Sequence, residues 1–241
     1  DVVFGSDITA DNSTTYMSFF SQMDTYGDGY AGIGVWRAAF KPLVDRIADT
    51  DIRLQWFCCD RSTGVTDASG KRVTLIRDTK YPVSVEYQTV KFIGTGRDNI
   101  KAGVFSGWEL GDYIYLRSEE AYMIKMEALA HKGSADAITE LNSFMKTRQP
   151  DYNYTFTNKA DLIEEIIYQK RVEFWGEGLE YIDNRRLNIP VDRTDETWGA
   201  ENNNHFSAGK FRYNQEERPF LYQLPLSEIE NNSQLSPSDQ N

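Results

Sequence analysis

Between Tyr113 and Leu187 the apolar residues recur every three to four positions, and on either side of that stretch they do not. In LRSEEAYMIKMEALAHKGS, the spacing of Tyr122, Met126, Leu129 and Ala130 predicts a helix running to Gly133. Ser134 can cap a second helix whose stripe is Ala137, Ile138, Leu141, Phe144 and Met145. Joined through His131, Lys132 and Gly133, the two form an antiparallel helical hairpin close to the length of a tetratricopeptide unit. A third helix follows, with Asn158 as its cap, Asp161 in the first turn, and Leu162, Ile163, Ile166 and Ile167 facing inward. It should stop near Trp175, where Gly176 and Gly178 flank Glu177, and LEYIDNRRL resumes as a short helix.

The flanks read differently. Residues 1–112 are rich in Gly, Asp, Thr and aromatics: loops, short helices and one or two β-hairpins are expected. Trp36, Ala39, Phe40, Leu43, Val44 and Ile47 sit at helical spacing, which Pro42 tolerates only in a first turn. The alternation of Val83, Val85 and Tyr87 with Ser84, Glu86 and Gln88 predicts a half-buried strand, and TDASG and GTGRDN are turn material. Residues 188–241 hold a brief extended segment and one helical turn around Ser227–Glu230, expected to pack on the helices. The expected architecture is mainly α, with tetratricopeptide-like helical hairpins plus a loop-rich region. All three stretches (1–112, 113–187, 188–241) belong to one domain in this reading.

At 241 residues the chain can bury a sizeable core without staples. Its net charge of −11 argues against nucleic acid or an anionic membrane surface as a partner. No run approaches the roughly 18 apolar residues of a membrane-spanning helix. Cys58 and Cys59 are adjacent and cannot readily form an unstrained disulfide. His131 and His205 lie far apart, so zinc is not expected. DTYGDGY offers Asp24 and Asp28 to Ca²⁺ but lacks the alternating oxygen ligands and terminal Glu of an EF-hand, so no cofactor or metal is expected, Ca²⁺ being the one alternative. No P-loop, HExxH, GxSxG or dinucleotide fingerprint appears.

The run from Arg171 to Arg186 is dense in charge inside an apolar region. Glu173 and Glu177 are four apart and would share a helix face, with Arg171, Asp183 and Arg186 able to compensate them. An ion network bracing a turn between helices is the reading that fits best.

Three motifs in order resemble the C-terminal part of SusD/RagB proteins, surface glycan-binding lipoproteins of Bacteroidetes-type bacteria. In LRSEEAYMIKMEALAHKG, the residues Arg117, Glu120, Tyr122, Glu127 and Ala128 fit the family pattern, and Asn142 follows on the next helix. In YQKRVEFWGEGLEYIDNRRL, Arg171, Glu173, Glu177, Gly178, Asp183 and Arg186 fit. In the last, Pro225, Glu228, Ile229, Asn232 and the terminal Asp239-Gln240-Asn241 fit. Asp51 and Arg53 match more loosely, as an earlier D-x-R segment. Glu119 and Met126 replace the family's usual alanines, and Arg148 is displaced from the common arginine positions.

The resemblance implies a SusD-like fold missing an N-terminal part. It also implies non-catalytic binding of an oligo- or polysaccharide at the cell surface, and delivery to a TonB-dependent (SusC-like) outer-membrane transporter. Attachment to the outer membrane would be through a lipid anchor absent from this chain. Sugar rings stack on Trp or Tyr faces while hydroxyls bond Asn, Asp, Gln and Arg. With aromatics at 13% of the chain, Tyr26, Tyr30 and Trp36, set among glycines, are the expected glycan contacts. For each, the alternative is a place in the core. The rival functions are a helical protein-binding scaffold without a sugar site and a glycoside hydrolase using two carboxylates.

Overall fold

A computed structural model describes residues 2–13, 16–66, 69–70, 83, 85–96, 109–217 and 222–239. The chain divides into two compact units, Asp1–Gly176 and Glu177–Asn241.

The first unit runs β1 (Val2–Ser6), α1 (Phe19–Met23), α2 (Lys41–Asp45), β2 (Phe57–Cys58), β3 (Gln88–Thr89), β4 (Tyr113–Arg117), α3 (Ser118–His131), α4 (Asp136–Met145) and α5 (Lys159–Glu173). α3 packs on both α4 and α5. The turn between α3 and α4 is made at Gly133, whose φ of +71° a side chain would resist. At the start of α5, the Asn158 side chain accepts from the amides of Ala160 and Asp161 while Asp161 accepts from that of Asn158, a capping box. The helix ends at Glu173, before Gly176 with φ +80°. Both ends lie where the sequence placed them.

Details of the helical faces differ. Met123, Met126, Glu127 and Ala130 form the buried side of α3, and Tyr122 is exposed. The pattern is compatible with either side because Met123 and Ile124 make the helix apolar nearly all round. α4 starts at Asp136, with Ser134 Oγ accepting from the Asp136 amide. α2 starts only at Lys41, which puts Pro42 in the first turn and leaves Trp36 and Ala39 ahead of the helix. The extended stretch at Arg37–Ala39 instead pairs with Tyr87 and Thr89.

The strands form two-stranded antiparallel pairs: β1 with β4, β2 with β3. Val2 lies opposite Arg117 and Gly5 opposite Ile114. The expected hairpins are thus distant segments brought together, with no tight turn joining them. The strand expected around Val83–Tyr87 is confined to Gln88–Thr89, because Tyr87 adopts φ +62° and breaks the alternation; Ser84 lies outside the described residues, as do 67–68 of TDASG and 97–99 of GTGRDN. A core of Val44, Leu54, Phe57, Val65 and Val172 joins α2, the irregular segments and α5. Cys58 and Cys59 are buried thiols.

The second unit holds α6 (Leu179–Arg186), β5 (Val191–Asp192), α7 (Asp195–Trp198), β6 (Arg212–Tyr213) and α8 (Leu226–Asn231). β5 pairs antiparallel with β6, Val191 opposite Tyr213. Gly178, at φ +86°, precedes α6. Gln240 and Asn241 of the third motif lie outside the described residues. Among the described residues no helix is long and apolar enough to cross a membrane.

Candidate functional site

The segment from Ser18 to Arg37 is folded by hydrogen bonds that glycines make reachable. Ser18 caps α1 by accepting from Ser21 N, and its hydroxyl donates to the Glu109 carbonyl. Beyond the helix, Asp24 accepts from Tyr26 N at 3.0 Å and from Gly94 N at 2.7 Å. The Glu109 carboxylate, fully buried, accepts from Asp28 N at 2.8 Å and Gly96 N at 3.2 Å. A Cβ on Gly27, Gly94 or Gly96 would fall within 1.9–2.3 Å of that carboxylate, so the backbone encloses it only because side chains are missing there. The loop is then closed by Tyr30 N on Ser21 Oγ, Ala31 N on Ser21 O, and Val35 N on Tyr30 O.

Three carboxylates thus share one buried locality: Asp24, Asp28 and Glu109. Burial, then the charge of Asp24, pushes Glu109 up from 4.5 to about 7, against the two backbone amides that favour the charged form; Asp28 adds to the rise. A carboxyl whose pKa is higher in the folded chain holds its proton better there than in the unfolded one. Stability through this group is therefore greatest below about pH 4.5 and declines as pH rises from 4.5 to about 7. In Glu109→Gln that decline should shrink, read as a flatter dependence of the urea midpoint on pH over this window. An unchanged slope would count against the assignment. Among the described residues, no group of three or more His, Cys, Asp or Glu is arranged to hold a metal ion. Of the two residues offered to Ca²⁺, the Asp24 carboxylate accepts from two backbone amides, whereas Asp28 is tied to the loop through its own amide.

The aromatic candidates separate. Tyr26 is 9% exposed and packs on Cys58 and Val90, its hydroxyl 3.8 Å from Cys58 Sγ, so it offers no face for stacking. Tyr30 and Trp36 are each 44% exposed. Beside Tyr30 stands Tyr16, its ring edge-on with centroids 5.7 Å apart. Polar groups border them: Gln22 Nε2 donates to Tyr16 O, and Arg37 donates to Gln22 O at 3.0 Å and Gln22 Oε1 at 3.1 Å. Sequence reasoning missed Tyr16, Gln22 and Arg37. Tyr16 sits in a polar stretch without periodicity and adopts φ +59°, and no local pattern marks it.

Glu173, 2% exposed at the end of α5, receives Arg117 at 2.9 Å, Arg148 at 3.1 Å and Arg53 at 3.4 Å. Arg53 is itself buried and held by Asp51 at 2.7 Å. Burial disfavours the charged carboxylate, but the Arg148 hydrogen bond and the charges of Arg53, Arg148 and Arg117 outweigh it, and the Glu173 pKa falls from 4.5 to about 2. The guanidinium of Arg117 also lies 4.5 Å over the Phe174 ring.

Glu173 thus centres an ion network, but one built with Arg53, Arg117 and Arg148 from far along the chain and not the one expected from Arg171, Asp183 and Arg186. Glu120 is in the first turn of α3, where an acid suits the helix dipole. Arg171 is half-buried on α5. Glu177 lies beyond the end of α5, so it does not share a helix face with Glu173. Asp183 pairs with Arg186 at 2.7 Å within α6. Arg53, Arg117 and Arg148 are the partners that spacing did not supply.

A comparison with curated proteins returned no match. Among solved structures, the chain is similar to a SusD-like carbohydrate binding protein from Bacteroides vulgatus, at 22% identity and TM-score 0.64, covering 97% of this chain and 48% of that one. It is also similar to a second Bacteroides vulgatus protein whose name proposes sugar binding, at 20% identity and TM-score 0.62, covering 100% of this chain and 45% of that one. The chain spans about half the length of these structures and shares their fold. The SusD family model matches residues 4–241, nearly the whole sequence. The chain belongs to the SusD family.

Proposed function

We propose that the protein binds a glycan without transforming it, on the surface formed by Tyr16, Tyr30 and Trp36 with Gln22 and Arg37 at its border. The observation that carries this reading is the exposure of Tyr30 and Trp36 on a loop whose backbone is fastened from beneath. A rim fixed in this way loses little entropy on binding. Family membership and the likeness to a SusD-like carbohydrate binding protein support it. In the same reading the protein resides at the outer membrane through a lipid anchor and passes its glycan to a SusC-like, TonB-dependent transporter.

One ring face covering roughly 50 Å² contributes on the order of 1 kcal/mol at about 25 cal/mol per Å². Two or three rings, less the cost of association, give a Kd of roughly 10 µM to millimolar. Titration calorimetry against a panel of oligosaccharides should find such binding, weakened about tenfold by Tyr30→Ala and about tenfold by Trp36→Ala. Shorter oligosaccharides appearing after incubation would instead favour the hydrolase. No heat with any glycan would overturn the reading.

A second reading, a protein-binding scaffold, is favoured by one observation: Val2, Val3, Phe4, Ile114 and Tyr115 of the β1–β4 pair are all exposed, with Phe4 and Tyr115 in ring contact at 5.4 Å.

A further inference from the structure

Away from that loop, a cavity of about 390 Å³ opens against α5, between the segment after α2 and the loop joining α4 to α5. This is near the small end of the ~300–1,000 Å³ usual for small-molecule sites. Its back wall is a set of polar groups already matched to one another. Glu165 receives Arg46 at 2.6 Å, the Tyr152 hydroxyl at 2.9 Å and the Gln169 amide at 2.6 Å. Arg46 lies 3.9 Å over the Tyr168 ring. Asp51 is matched by Arg53, and Asp151 by the Thr50 hydroxyl at 2.6 Å and by Gln149.

An anionic ligand would meet three lining carboxylates here, Asp51, Asp151 and Glu165, against the lining guanidinium of Arg46, which already pairs with Glu165. A neutral ligand rich in hydroxyls meets no such penalty. The hydroxyls of Tyr152, Tyr154 and Tyr168 each donate to the protein, to Glu165, to the Asp161 carbonyl and to the Leu43 carbonyl. Their remaining lone pairs can accept from a ligand. The Asn153 side-chain amide, exposed at the mouth, makes no hydrogen bond to any described residue and can both donate and accept. Ile47 and Ala48 add apolar wall for ring C–H groups.

We infer that this cavity is a second, independent site for a single neutral hexopyranose, either a free sugar or the end unit of a longer chain. It does not depend on the loop surface, because none of its residues falls within 16–37.

The test is a ¹H–¹⁵N NMR titration of the whole chain with D-glucose, D-galactose, maltoheptaose and glycerol, at up to about 100 mM for the small probes. Saturable shifts at the side-chain amides of Asn153, Gln149 and Gln169 with at least one hexose are expected, persisting in Trp36→Ala. In Asn153→Ala, read at Gln149 and Gln169, affinity should fall about tenfold, the worth of one good hydrogen bond. Because Asn153 is exposed, that variant keeps its fold. Response to the free hexose alone assigns free sugar, and response to maltoheptaose as well assigns the chain end. Four results would overturn the inference: no saturable shift at these amides, an equal response to glycerol, unchanged affinity in Asn153→Ala, or loss of the shifts in Trp36→Ala. The last would place all sugar binding on the loop and leave the proposed function standing.

Discussion

Glu173→Ala is expected to destabilise the first unit by about 3–5 kcal/mol, the cost of leaving buried charge without its partner. Three guanidinium groups converge on this carboxylate, and one of them, Arg53, is 1% exposed. Removing the anion leaves Arg53 to Asp51 and Gln169, and leaves Arg117 and Arg148 to share the more distant Glu119 at 3.5 and 3.6 Å. The same carboxylate joins the end of α5 to the end of β4, to Arg148 in the loop after α4 and to Arg53, so its loss loosens four segments at once. Urea unfolding near pH 7 reads the effect as a lower midpoint. Glu173→Gln should lie between alanine and the parent, since an amide oxygen still accepts hydrogen bonds but carries no charge.

The pH dependence has a definite sign. A carboxylate held at about 2 when folded and near 4.5 when unfolded contributes its full stability above 4.5 and loses it as pH falls toward 2. The Glu173→Ala deficit should therefore be large at pH 7 and shrink in acid. A deficit below about 1 kcal/mol at pH 7, in the range of a solvent-exposed pair, would refute the buried network.

Gly32→Ala should remove glycan binding at the loop surface. A Cβ at this position would lie 1.7 Å from the Gly27 carbonyl oxygen, a backbone atom that no side-chain rotation can move aside. To admit the methyl group, the chain must open between Gly27 and Gly32, and this breaks the Asp28–Glu109 and Tyr30–Ser21 bonds that fix the rim. Overpacking of this kind costs about 1–3 kcal/mol. Calorimetric titration should lose the signal, and the unfolding midpoint should fall. Gly64→Ala serves as the control, because nothing lies within 4 Å of the added atom. Binding of parent strength by Gly32→Ala would show that the rim's closure is irrelevant to the ligand.

The legible parts of the sequence were those written in neighbouring residues. Asn158 and Asp161 form a cap three residues apart, and Gly176 and Gly178 stop one helix and start another. Pro42 was legible in a conditional way: it allowed a helix only if it stood in the first turn, and there it stands. The β pairs were illegible as pairs, because β1 and β4 are held in register across a long separation that no turn signal bridges. The three candidate aromatics shared one local context of glycines and acids, yet Tyr26 fills a gap beside Cys58 and Val90 while Tyr30 and Trp36 stay exposed. Glycine-rich surroundings indicate that a backbone is free to turn, and they carry no information about which ring turns inward.

The sequence by itself determined the helical centre, its caps and breaks, and the family, because each rests on residues within a few positions of one another or on motifs kept in order. The tertiary structure alone decided which arginines neutralise Glu173, that Tyr16 joins Tyr30, and that Glu109 closes the loop from beneath. Those outcomes depend on burial and on contacts between residues up to 120 positions apart. Side-chain periodicity reports only which face of a segment is apolar; what packs against that face is fixed by the whole chain closing on itself.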